Sequence, residues 1–573
     1  MSISGLHMGT RAIQAHQIAL EITGQNISNV NTEGYTRQRA SLAQTIPLDY
    51  SYGTVGTGVK VDGIERIRDA FVDLEIRNQT SDLGSDSVQA DMYDRIEKIL
   101  NDPSEEGLDT RLGDFFDSIY DVVNAPEETG LKNTTIIEAQ ALAQQIQFVN
   151  GELDQLRIDL NSAVVNGVDE INSLTQQIAD LNKKIVKVEA GGNNQANDFR
   201  DQRDQLLKDL SEWTNITTNE MDTGEVNVSI GGQSIIFGST VTTLETELQP
   251  GDELPLQRVI VSGSGSPVNF DGGKMQGYMT ARDTNIPKYI DRLDTLARGL
   301  IDQINKQHTQ GLGTRGFSTV TSENAVSDSS AALDSSGAHL DITPVDSTFN
   351  LIVSDKSGSS CVETTLNISV DVSSDSLDDV ATSINNALSG AGISEISAAV
   401  TSENKLELTS SDDDFTYYLQ DTTDDTNNVL SSLGLNTFFK GTDASNIGVN
   451  SFLAENPQFL AAAQSTAQGD NTNALAMADI RKEQVMDSGT KTLEQYYQTA
   501  LVDLGADSRE SQTQTDAGKS FLTELELKRE SISGVNLDEE AANLIIFQRA
   551  YEASARYISV CDSLLNTLVN GLI

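Results

Sequence analysis

A chain of 573 residues has room for roughly three or four domains of about 150 residues each, which excludes a single core. Its 38 Lys and Arg stand against 86 Asp and Glu, and a formal charge of −48 repels nucleic acid phosphates and anionic lipid headgroups. With aromatic residues at 5% and Trp213 the sole tryptophan, buried volume must come mainly from Leu, Ile, Val and Ala.

The chain opens on an apolar ladder in which Leu6, Ile13, Leu20 and Ile27 recur at every seventh position, the period of a coiled-coil face. Gly5, Gly9 and Gly24 weaken that helix on propensity alone. Asn29 to Tyr35 reads as a turn, and Gly53, Gly56 and Gly58 before the alternating Val59 and Val61 read as loop and short strand. Helix is expected from Ile64 to Leu100. A stronger pattern runs from Leu142 to Val188 as one long helix or a helix pair, with a break near Gly167 and an end at Gly191-Gly192. Between 214 and 284 the texture becomes strand and turn, with Val226, Val228 and Ile230 alternating and Ile235-Ile236-Phe237 following Gly231-Gly232.

Helical spacing returns from Ile290 to Ile304, and Gly311, Gly313 and Gly316 lead into a Ser/Thr/Asp-rich stretch at 317–450. There Leu366, Ile368, Val370 and Val372 alternate, as do Leu406 and Leu408, while Leu377 to Leu388 reads as one short helix. A helical pattern resumes from Leu460 to Leu527. The chain closes on a second ladder: Leu537, Leu544, Tyr551, Ile558, Leu565 and Leu572 repeat every seven residues, and Phe547, Cys561 and Leu568 fill a second seam. Asn536 is placed to cap that helix, with Glu539 in an approximate capping box and three acids, Asp538 to Glu540, at the positive end of its dipole.

The expected architecture is multidomain α+β. It comprises terminal coiled-coil helices (1–50 with 531–573), a long helical-bundle stalk (51–213, 285–316 and 451–530), a β-rich subdomain (214–284) and an inserted β-rich or α+β outer domain (317–450). Each terminal ladder is too narrow to be buried by its own helix, so the thirteen ladder residues form the candidate assembly interface. The first partner is the other end of the chain, and neighbouring subunits follow.

Catalysis finds little support. His7, His16, His308 and His339 form no metal-ligand pair, no nucleophile elbow follows a strand, and the glycines at 53, 56 and 58 lack phosphate-loop spacing, so no cofactor is expected. Asp412 to Asp414 with Asp421, Asp424 and Asp425 lacks the glycine and glutamate of a calcium loop and reads as solvated. Cys361 and Cys561 imply no disulfide framework, and Cys561 reads as a packing residue. No stretch has the length of a membrane span or the layout of a Sec signal, so membrane insertion is not expected and export would use a route without a cleaved leader.

The run from Asn26 to Arg37, with Asn26, Asn29, Asn31, Thr32, Gly34 and Tyr35 as its signature, resembles the N-terminal motif shared by bacterial flagellar rod, hook and hook-associated proteins. Ser533 to Leu544 and Phe547 to Arg556 are similar to the hook-associated protein 1 branch of that family. Gly469 to Leu475 and Ile286 to Gly311, including Ile304, Asn305 and His308, also match; 317–450 matches nothing identifiable. The resemblance implies a structural, non-enzymatic protein at the hook-filament junction, exported unfolded by the flagellar type III apparatus. It also implies self-assembly into a ring or tube, with the hook protein, a second junction protein (hook-associated protein 3) and an export chaperone as partners. A hook or distal rod subunit is the alternative.

Overall fold

The computed structural model describes residues 3–50, 53–100, 107–191, 195–251, 254–358 and 361–571. In chain order, helix α1 (Ile3–Ser28) is followed by strands β1 (Gln38–Gln44), β2 (Leu48–Tyr50), β3 (Gly53–Val55) and β4 (Val59–Arg66), then helices α2 (Ala70–Leu100), α3 (Leu108–Asn124), α4 (Thr129–Glu189) and α5 (Asn197–Trp213). Six strands come next, β5 (Ile216–Glu220), β6 (Val226–Ile230), β7 (Gln233–Phe237), β8 (Thr240–Val241), β9 (Leu244–Leu248) and β10 (Gln257–Val261), before α6 (Gly273–Thr280) and α7 (Ile286–Thr309). The following segment holds β11 (Thr319–Thr321), β12 (Ser347–Asp355), β13 (Val362–Val370), α8 (Leu377–Gly390), β14 (Ile396–Val400), β15 (Leu406–Ser410), β16 (Phe415–Asp421) and α9 (Val429–Leu433). The short strands β17 (Phe439–Lys440) and β18 (Gly448–Val449) and helices α10 (Ser451–Glu455), α11 (Thr472–Asp479), α12 (Leu493–Ser533) and α13 (Leu537–Asn570) complete the chain. This is a multidomain α+β protein.

Contacts divide the chain into two compact units. One comprises Met1–Met92, Ile158–Arg282 and Arg509–Ile573, the other Tyr93–Arg157 and Asp283–Ser508. In the first, β1 and β4 pair antiparallel, β2 and β3 form a hairpin, and β5 to β8 form a meander. Val228 and Ile230 on one face of β6 meet Val164, Ile171 and Ile178 of α4 and Leu207 and Leu210 of α5 in a single apolar core. In the second unit β12 lies between β13 and β16, and β15 between β11 and β14. Phe349, Leu351 and Val353 of β12 pack there with Val380, Ile384 and Leu388 of α8, whose Ser376 closes a capping box with Asp379.

Three expectations need correction. Helix does not begin at Ile64: strand β4 runs to Arg66, paired along its length with β1, and α2 starts at Ala70. The break near Gly167 does not occur, and α4 continues for 61 residues, roughly 90 Å at 1.5 Å per residue. That glycine serves close packing, because a Cβ there would lie 2.5 Å from Met275 Sδ and 3.1 Å from the Trp213 ring. Gly191 follows α4 as a turn, and Gly192 lies outside the described residues. Finally, the helix-like stretch from Leu460 to Leu527 is helical only in part: the eight-residue α11 and the long α12 are separated by a turn with left-handed Asp487, Ser488 and Gly489.

The second unit also holds a buried polar joint. His308 Nδ1 lies 2.8 Å from the Asn436 carbonyl, and its Nε2 accepts from the Ala461 amide at 3.0 Å, which fixes a neutral tautomer. Asn305 accepts from the Phe438 and Phe439 amides and donates to the Phe439 carbonyl. Phe115 of α3 packs against both of these rings, with centroids 5.6 Å away. Lys132, fully buried, donates to the Leu460 carbonyl at 3.0 Å.

Candidate assembly site at the joined termini

Helices α1 and α13 pack antiparallel, the start of one against the end of the other. Small side chains permit it: a Cβ on Gly9 would lie 2.5 Å from Ile558 Cγ1, and one on Gly5 3.5 Å from Cys561 Sγ. The glycines that cost α1 helical propensity therefore provide its close approach. Deepest in α1 are Ala15, Ala19, Ile22, Thr23 and Asn26. Leu6, Ile13, Leu20 and Ile27 flank that stripe and are half-buried. On α13, Leu544, Phe547, Ile558, Cys561 and Leu565 follow at steps of three, eleven, three and four residues and are half-buried, whereas Leu537 and Tyr551 are exposed. The Leu568 side chain and Leu572 lie outside the described residues.

A second apolar stripe on α13 stays more than one-third exposed, although Tyr557 on it lies against Gly5 and Gly9 of α1. Ile546, Tyr557, Val560 and Leu564 recur at helical spacing and are 59%, 43%, 55% and 44% exposed, with Ile545 beside them at 57%. The heptad reading missed it. Its signal was present in the sequence, but at steps that do not fall on the seven-residue ladder.

The signature residues form a polar hub where the two helices meet. Asn26 is 1% exposed and uses its whole amide. Its Nδ2 donates to the Gln38 carbonyl at 2.9 Å and Glu540 Oε2 at 3.1 Å, while its Oδ1 accepts from the Gln38 amide at 3.0 Å and the Tyr35 hydroxyl at 2.8 Å. Burial, with the charges of Asp198, Asp201 and Glu540, pushes the Tyr35 phenol well up, so it remains a donor. Arg37 bridges Glu539 at 2.7 Å and Glu540 at 2.8 Å, and its amide donates to the Ser533 carbonyl. The expected capping box is thus not formed: Asn536 caps α13 through the Asp538 and Glu539 amides, but both glutamates turn to Arg37 because a half-buried guanidinium binds them more strongly than one backbone amide.

The other signature residues build the turn. Asn29 donates to the Gln25 carbonyl and accepts from the Thr32 hydroxyl, and Gly34 adopts a left-handed φ of +77°. Asn31 and Thr32 are exposed. A third layer comes from α5, where Asp201 accepts from the Thr36 amide and joins Asp204 on Arg66, each at 2.7 Å. Burial opposes ionisation of Asp204, yet Arg66, Arg68 and Arg203 hold it below the usual carboxylate range. Gln38, Asp201 and Arg66 were not among the residues singled out from sequence, and Glu540 was read there only as a charge at the start of α13, not as a partner of Asn26 and Arg37. Among the described residues no group of three or more His, Cys, Asp or Glu is arranged to hold a metal ion, and none of their helices is long and apolar enough to cross a membrane.

Two chain ends clasped by a buried hub, with apolar surface left over on the clasp, are the features by which the chain can be compared with known proteins. The chain matches three family profiles in order: "Flagella basal body rod protein" over residues 6–36, "Flagellar hook-associated protein FlgK helical domain" over 93–321, and "Flagellar basal body rod FlgEFG protein C-terminal" over 529–571. It is 25% identical to the flagellar hook-associated protein 1 of Escherichia coli (strain K12), spanning 97% of this chain and 98% of the relative. The protein of that name from Bacillus subtilis (strain 168) is also 25% identical, over 99% and 98% of the two chains. The solved flagellar hook junction protein FlgK from Burkholderia pseudomallei shares the fold with a TM-score of 0.50 at 17% identity, covering 80% of this chain and all of that one. Along nearly its whole length the chain is thus similar to proteins named flagellar hook-associated protein 1.

Proposed function

We propose that this chain is a structural subunit of the bacterial flagellum that forms the junction between hook and filament. The observation that carries this is the match along nearly the whole chain, both clasped ends included, to proteins named flagellar hook-associated protein 1. A hook or distal rod subunit would share the two ends, but the helical domain at 93–321 favours the junction protein. Its role is mechanical, and no reaction is assigned to it.

In this reading the chain leaves the cell unfolded through the flagellar type III channel, escorted by an export chaperone, and needs no cleaved leader. It then assembles through its terminal ladders into a ring or tube, on the hook protein at one side and under hook-associated protein 3 at the other. The ladder residues and the signature from Asn26 to Tyr35 form the assembly site. The four-part division is part of the same proposal, with 317–450 as an outer domain. Immunogold labelling of intact flagella with an antibody to residues 317–450 tests it: a band at the hook-filament boundary is expected, and label along the whole hook selects the hook subunit instead.

A further inference from the structure

The charge on this protein is unevenly placed. Residues 1–32 and 541–573 hold three basic residues, Arg11, Arg549 and Arg556, and three acidic ones, Glu21, Glu552 and Asp562, so the entire formal charge of −48 falls on the remainder. Beyond the acidic first turn of α13 (Asp538, Glu539 and Glu540), copies that repel one another elsewhere can approach along α1 and α13 without that penalty. A like chain is therefore the partner that the neutral, apolar surface of α13 fits.

That surface has two different parts. Between the β2–β3 hairpin and the helix pair lies a cavity of about 190 Å³, walled by Gly5, Met8, Leu48, Val55, Tyr557 and Leu564, with Cys561 in its lining. An apolar cavity of about 150 Å³ takes a benzene ring, so this one has room for a branched aliphatic side chain. Toward the other end of α13 stand Ile545 and Ile546, each more than half exposed. Cavity and isoleucines lie about 15 residues apart on one helix, roughly 22 Å, and cannot meet within one chain.

We propose that Ile546, with Ile545 beside it, seats in the hairpin cavity of the next copy of this chain. The inference rests on the assembly reading above and names the contact that drives it. The contact is heterologous: each copy offers one knob and one socket, so the series continues around a ring or along a tube. A self-complementary pairing of two α13 stripes would stop at a dimer. Seating the knob of one copy in the socket of the next offsets the two α13 helices by about 22 Å. Asp49, the single charged residue between 40 and 59, places a negative charge on the hairpin that complements Arg549, three residues beyond the knob and bridged in its own chain to Glu552 at 3.3 Å.

Native Cys561 supplies the test. Full-length protein carrying Ile546→Cys and Cys361→Ser is oxidised with copper-phenanthroline, both in isolated flagella and as concentrated purified subunit. The two thiols lie too far apart on one helix to bridge, so any disulfide between them joins two copies. The expected result is a ladder of dimers, trimers and larger species in at least one of the two samples, lost when Cys561→Ser is added. Dimers alone, persisting with Cys561→Ser, show the self-complementary pairing and overturn the proposal, as does no cross-link in either sample. Gly56→Phe is the second readout. Gly56 lines the cavity, and a Cβ there meets no atom within 4 Å, so the ring plugs the socket without crowding its own chain. Its monomer melt should match wild type while retention at the hook tip falls at least tenfold; normal retention overturns the proposal. Wild-type protein absent from the hook tip, with the ladder still formed by purified subunit, would instead remove the junction reading and leave the contact standing.

Discussion

The clasp at the chain ends and the joint around His308 are both organised by a buried asparagine, yet they finish differently. Asn26 and Asn305 each hold backbone groups of a distant segment with both ends of the amide. Around Asn305 the surroundings close completely, with His308, Phe115, Phe438 and Phe439 all within about 1% of full burial. Around Asn26 the polar hub is complete but the helices it holds keep Ile546, Val560 and Leu564 in solvent. The contrast shows that satisfying polar groups and burying apolar ones are separate tasks. One region completes both within the chain, and the other completes only the first.

The largest effect should come from breaking the closed joint. Asn305→Ala strands two amides and a carbonyl at about 1–3 kcal/mol each, so chemical denaturation should show a loss of several kcal/mol in the second unit. Amide exchange in α1 and α13 should be unchanged. For the same reason, removing 317–450 should destabilise more than removing 317–435, which spares Asn436, Phe438 and Phe439; equal effects would show that the joint contributes little.

Asn26→Asp should come next. It keeps the shape but loses the amide donors and sets a carboxylate against Glu540, so about 2–4 kcal/mol of local stability should vanish. Faster exchange at both chain ends would register it. Asn26→Ala should be milder, and an Asn26→Asp protein with protected ends would disprove the hub.

The closed joint also has a pH signature. Burial lowers His308 to about 4, below its unfolded value near 6.5, so the stability it contributes is present above pH 6.5 and lost as pH falls toward 4. Asp421 of β16, raised to about 7 by burial and with Oδ1 unpartnered, does the opposite: its contribution is present below about 3.8 and lost as pH rises through 7. The two nearly offset in wild type. Asp421→Asn should expose a loss of stability on acidification between pH 6.5 and 4, of order 3 kcal/mol, and His308→Gln should reverse the slope. Parallel pH profiles for the two variants would refute this assignment.

The smallest effect in the free subunit should be Val560→Asp on the open stripe, within about 0.5 kcal/mol of wild type by melting, although cells carrying it should fail to retain filaments. Leu565→Asp faces the α1 side and should loosen the ends of the isolated subunit as well. If the two behave alike in the monomer, the stripes have been assigned to the wrong faces.

Periodicity alone located α4, α7, α8 and α13, because apolar side chains at helical spacing must share one face whatever they pack against. The alternation in β6, β13 and β15 was legible for the same reason. The sequence also held the terminal pairing, in two ladders that each lacked a partner, and the turn from Asn29 to Gly34. Tertiary structure decided the rest. Gly167 looked like a break until Trp213 and Met275 were seen pressed against it, and Gly9 looked like a weak point until Ile558 filled its place. No local pattern could reveal that Glu540 answers Asn26 and Arg37, since more than five hundred residues separate Asn26 from it. Nor could a heptad say which face of α13 meets α1, because two apolar stripes share that helix and only the close approach at Gly5 and Gly9 selects between them. Spacing along a chain fixes which residues share a face, and what that face meets depends on contacts between distant segments that exist only once the chain has folded.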